Sequence, residues 1–152
     1  MSERSARHDS FVIERTYPQS PAKVFHAFAD RDAKARWFGG PDEWVKGRQE
    51  FDFRVGGRER LSGGPKGGPV HSFDGYYFDI VPNERIVYAY DLHLGEQKIS
   101  VSLTTIELKP AGTGTKLIFT EQGVFLDGYD DAGSREQGTR GLLEKLGVAL
   151  KD

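Results

Sequence analysis

Four histidines, one lysine-bearing glycine loop, one acid–base strand and a set of aromatic rings are the parts of this 152-residue chain with chemistry to offer. Cysteine is absent, so no disulfide, thiolate metal site or cysteine nucleophile exists. His8 lies near the N-terminus and His26 sits beside Phe25. Neither belongs to a partner pattern. His71 and His93 fall in or beside strand-like runs, next to aromatic residues. No HxH, HxxxH or HxxE spacing accompanies them, so neither a metal site nor a bound cofactor is expected. His71 is the better candidate for proton transfer, because imidazole titrates near neutral pH. Its plainer reading is a histidine on a rim or surface.

Lys66 lies in the run Gly63-Gly-Pro-Lys-Gly-Gly-Pro69. A phosphate loop needs Gly-Lys followed by Ser or Thr opening a helix. Here Gly67-Gly68-Pro69 and a strand follow, so phosphate binding is not expected. The segment reads as a flexible flap near a cavity. Asp52 and Arg54 share one strand face, opposite Phe51, Phe53 and Val55. That face is either solvated or holds an ion pair in a polar part of a cavity, since an unpaired buried charge is too costly. No Ser-His-Asp order or paired-glutamate motif stands out, and the reading leans away from an enzyme.

The aromatics carry more weight: ten Phe, six Tyr and two Trp. Trp37, Phe38, Phe53, Tyr76, Tyr90 and Phe119 are candidates to line a cavity. Arg54 and His71 are its polar candidates, and Leu143 is the candidate from the C-terminal helix. Singly, each is as well explained by core packing. Together they favour an apolar-lined site with a few polar handles.

The elements that must position these residues follow from pattern. Phe11 to Tyr17 alternates as a first strand. Ser20-Pro21 caps a short helix over residues 21–28, and Asp30 caps another through about Trp37. Short strands follow at Glu43–Val45 and Glu50–Val55. Gly56-Gly57 turns the chain into Arg58–Ser62. Val70–Val81, bent at Gly75, and Arg85–Leu92 come next. Lys98–Leu108, with a bulge near Thr104-Thr105, and Thr115–Gln122 complete the strands. Leu142, Leu146 and Ala149 fall on one helical stripe, predicting a helix from about 130 to 150, capped by Asp130 or Ser134. Four glycines interrupt it, as tolerated residues or as points of close packing. The fold class is α+β: a curved antiparallel sheet of about six to seven strands gripping a long C-terminal helix. Two short helices follow its first strand.

The length favours one domain, residues 10–152, preceded by a frayed N-terminus over 1–9. Net charge is -2, which argues against nucleic acid or an anionic membrane surface as partner. The polar opening residues and the lack of a long apolar run predict a cytoplasmic protein.

In this order, the stretches Ser20-Pro21-Ala22 with Val24-Phe25 and Phe28, Trp37-Phe38-Gly39 and Phe53-Arg54-Val55-Gly56-Gly57-Arg58 resemble the START-like (SRPBCC, helix-grip) superfamily. So do Gly75-Tyr76-Tyr77, Val81 through Tyr88, Gly114-Thr115-Lys116-Leu117 and Gly141 through Leu146. The nearest branch is that of homologues of the activator of the ninety-kilodalton heat-shock protein ATPase. The family usually carries a Trp just before the closing leucines. This chain has Gly138-Thr139-Arg140-Gly141 there, and the missing ring, with the unusually Gly-rich Gly63–Pro69 segment, is expected to widen or loosen the pocket mouth. The resemblance implies a small apolar or amphipathic ligand held between sheet and helix. It also leaves open a co-chaperone-like module of the stress response with a chaperone or other protein partner, and a cyclase- or hydrolase-type enzyme. It supplies no catalytic residues. A homodimer through an edge strand stays open.

Overall fold

The computed structural model describes residues 4–152. In chain order the elements are β1 (Ala6–Tyr17), α1 (Pro21–Ala29), α2 (Arg31–Ala35), β2 (Val45–Phe51), β3 (Arg58–Gly64), β4 (His71–Val81) and β5 (Arg85–Leu94). Then come β6 (Gln97–Ala111), β7 (Gly114–Leu126) and α3 (Ala132–Ala149). All seven strands form one antiparallel sheet in the order β1-β7-β6-β5-β4-β3-β2. Short turns between consecutive strands produce this meander, and β1 closes back onto β7.

Local signals set each helix. Ser20 accepts a hydrogen bond from the Lys23 amide, and Pro21 occupies the first turn of α1. Asp30 accepts from Ala33 N at 2.9 Å to start α2. Asp131 accepts from Ser134 N at 2.8 Å to start α3, so the cap falls between the two residues expected for it. The core joins Ile13, Ile86, Ile106, Leu117 and Phe119 of the sheet's inner face to Val24 and Phe28 of α1. Leu143, Leu146 and Leu150 bring the second half of α3 into the same cluster. The Tyr17 hydroxyl donates to Leu143 O at 2.8 Å, pinning that half to β1. Burial pushes the Tyr17 phenol up to about 12, so it remains a donor.

Several expectations change. β1 begins at Ala6, so residues 6–9 pair with β7 instead of fraying; residues 1–3 lie outside the described residues. The strand expected over Glu50–Val55 is instead β2, which ends at Phe51, and residues 52–57 form a loop. Gly56, at φ +86°, supplies the left-handed backbone this loop requires. Its amide donates to Tyr77 O at 2.9 Å, drawing the loop onto β4. No bulge interrupts β6 at Thr104-Thr105; the irregularities fall at Lys46/Gln49, Tyr77/Asp79 and Leu92/His93. Gly75 lies in a regular stretch of β4, where a Cβ would come within 3.0 Å of the Phe73 ring. Its missing side chain makes room for that ring.

Candidate functional site

The first half of α3 is polar and glycine-rich, whereas its apolar residues come later. The helix therefore packs tightly only over its second half. Between its first half, α2 and the sheet lies a cavity of about 510 Å³, partly open to solvent. Gly138 and Thr139 stand on its helical wall, and a Cβ at Gly138 would meet nothing within 4 Å.

Six of the nine expected residues line this cavity: Trp37, Phe38, His71, Tyr90, Phe119 and Leu143. Trp37 donates from Nε1 to Ala27 O at 3.0 Å and packs edge-on against Phe28 and Phe38. Phe73, Tyr88 and Trp44, not singled out from the sequence, complete the aromatic wall. Phe73 stacks on Tyr90 at 4.7 Å between ring centroids. At the rim His71 stacks on Trp44 at 4.6 Å, where it is exposed.

Phe53, Arg54 and Tyr76 are elsewhere. Because β2 ends at Phe51, the period of two no longer holds beyond it. Phe53 packs against Phe25, Phe51 and Tyr77. Arg54 pairs with Asp52 at 2.8 Å on the surface, so this ion pair is solvated and not part of the cavity wall. Tyr76 points from the outer sheet face beneath the Arg58 guanidinium, 4.6 Å from its ring centre. Of the Gly63–Pro69 segment only Gly63 touches the cavity; Pro65 to Gly68 form a tight turn beyond it.

Two buried polar clusters escaped the sequence reading. In the first, Lys34 of α2 reaches Glu59 Oε1 at 2.5 Å and the Tyr77 hydroxyl at 3.3 Å. Tyr77 donates to the same glutamate oxygen. The ammonium also lies 4.4 Å from the centre of the Phe38 ring. Lys34 and Glu59 are only 6% and 7% exposed, which an ion pair with extra hydrogen bonds can sustain. In the second, the Tyr90 hydroxyl donates to Glu121 at 2.8 Å. Arg135 of α3 reaches Tyr90 at 3.0 Å, Ser100 at 2.7 Å and Asp130 at 2.8 Å. It also lies 3.4 Å from Glu121 Oε2. Burial raises the Glu121 carboxyl above its ordinary range, with Arg135 opposing. Burial likewise pushes the Tyr77, Tyr88 and Tyr90 phenols well up, and neighbouring carboxylates add to it. All three phenols therefore stay protonated near neutral pH.

Parity carried the one usable signal for the second cluster. Leu117, Phe119 and Glu121 alternate onto one face of β7, so Glu121 must follow two core residues inward. Glu59 gave a weaker version of it, and Lys34 and Arg135 gave none. Among the described residues no group of three His, Asp or Glu is placed to hold a metal ion. Nor is any helix there long and apolar enough to cross a membrane.

Comparison with known proteins agrees with this architecture. The family model described as "Activator of Hsp90 ATPase homolog 1-like protein" matches residues 18–151. Among solved structures, the Mll3558 protein of Rhizobium loti is 52% identical with a TM-score of 0.90, over 95% of this chain and 99% of that one. A Rhizobium leguminosarum protein is 47% identical with a TM-score of 0.93, over 99% of both chains. Protein CV1439 of Chromobacterium violaceum is 27% identical with a TM-score of 0.78, over 94% of this chain and 97% of that one. No curated protein matches the chain.

Proposed function

The chain belongs to the Activator of Hsp90 ATPase homolog 1-like family, and we propose that it holds a small apolar or amphipathic molecule in the cavity between sheet and α3. One observation carries this reading: a space of about 510 Å³ among Trp37, Phe38, Phe73, Tyr90 and Phe119. A core of this size normally closes such a gap, since interiors pack like organic crystals. The volume lies in the range of small-molecule sites, and the wall has their composition, apolar with a few fixed polar groups.

A second reading, docking to a chaperone or another protein, draws on the outer sheet face. There Phe78 is 62% exposed, with Tyr76, Val101, Leu103 and Val12 also exposed. It does not account for the cavity, so it ranks behind. Catalysis finds less support, because Glu121, the shifted acid of the cavity, is already engaged by Tyr90 and Arg135.

Native mass spectrometry of freshly purified protein tests the first reading. A co-purifying small molecule, lost when Gly138→Trp fills the helical wall, is the expected result. A single unliganded species, unaltered by added apolar compounds, would count against it.

A further inference from the structure

Resting on the ligand reading above, we infer that the molecule held in the cavity is uncharged and carries a hydroxyl or equivalent group that donates a hydrogen bond to Glu59. A carboxylate or other anion is excluded. The charges inside the cavity are already committed to one another. Its buried cations are Lys34 and Arg135, and its inner carboxylates are Glu59, Glu121 and Asp130, with Asp42 and Glu50 exposed at the rim. Arg135 gives one terminal nitrogen to Tyr90 and Glu121 and the other to Ser100 and Asp130. Lys34 is held between Glu59 and Tyr77, with the face of Phe38 closing its remaining side. The other basic residues of the lining are exposed or half-buried. Arg31 is bound to Phe51 O and Arg60 to Asp74. Lys46 is exposed at the rim, where water screens it. An anion entering the cavity would meet spent cations and three carboxylates, and would lose its own hydration.

One polar group remains uncommitted. Both hydrogen bonds to Glu59 end on Oε1, so Oε2 has no partner among the described residues, although the side chain is only 9% exposed. It is an acceptor on the cavity wall. An acceptor left open in an apolar wall selects a ligand's donor, because leaving it unpaired is costly. A hydroxyl meets that need by donating to Glu59.

Equilibrium dialysis with three probes of one ring system tests this at about pH 7, where a naphthol remains neutral. Naphthalen-2-ol, 2-methoxynaphthalene and naphthalene-2-carboxylate differ only in the group presented. The naphthol is expected to bind at least about ten-fold more tightly than the carboxylate, with the methyl ether, which cannot donate, between them. Glu59→Gln should narrow the gap between naphthol and carboxylate. The carboxylate or the methyl ether binding as tightly as the naphthol overturns the inference while sparing the ligand reading. Binding by none of the three overturns both.

Discussion

At the scale of single residues, the cavity is defined by charges that the fold has drawn inward and then paired. Glu121 is the clearest case, at 2% exposure with its carboxyl raised by burial. A raised carboxylate favours the protonated form in the folded state. Its contribution to stability is therefore fully present below the ordinary value of 4.5 and is lost as pH rises through the folded value. Asp127 and Asp131 run the opposite way: their lowered values make their contributions present at higher pH and lost on acidification. Glu121→Gln separates the two effects. Denaturant unfolding at a series of pH values should show the wild type losing stability relative to the variant as pH rises from about 4.5 toward neutrality. A constant difference between the two proteins across that range would show that Glu121 does not titrate as described.

At the scale of elements, α3 divides into a half that packs and a half that borders space, and its glycines divide with it. A Cβ at Gly141 would meet nothing within 4 Å, whereas one at Gly147 would come 3.2 Å from the Tyr17 ring. Gly141→Ala should therefore raise stability by about 0.5–1 kcal/mol, the ordinary helical gain over glycine. Gly147→Ala should gain less or lose, because Tyr17 is held by its bond to Leu143 and has little freedom to move. Thermal melts of the two variants check the contrast. The sequence pattern located this helix and the strands β3 to β7, but it split β2 into two short strands and centred the leucine stripe on Leu142, Leu146 and Ala149, where Leu143, Leu146 and Leu150 are the buried residues. It misplaced Phe53 and Arg54 because alternation continues through residues 51–55 in the sequence while the backbone leaves the sheet at Phe51. Hydrogen bonds from the Gly56-Gly57 loop to Tyr77 decide that, and they are tertiary. Lys34 and Arg135 were illegible for a similar reason. A lone cation on a short amphipathic segment looks solvated until the fold supplies Glu59 or Glu121 as its partner.

At the scale of the whole molecule, the sheet has two faces with different offers. The inner face, closed by α3, holds the cavity. The outer face leaves Phe78, Val101 and Leu103 exposed. On the ligand reading proposed above, the inner face is where the protein holds its small molecule. The chain's two tryptophans, Trp37 and Trp44, both line the cavity. Their indole N–H resonances thus report on it directly. A ¹H–¹⁵N correlation spectrum recorded while naphthalen-2-ol is titrated should show both indole signals shifting together and saturably, along with the amides around Gly138 and Leu143. Indole signals that stay fixed while amides around Phe78 and Leu103 move would contradict the account and place the binding surface on the outer face.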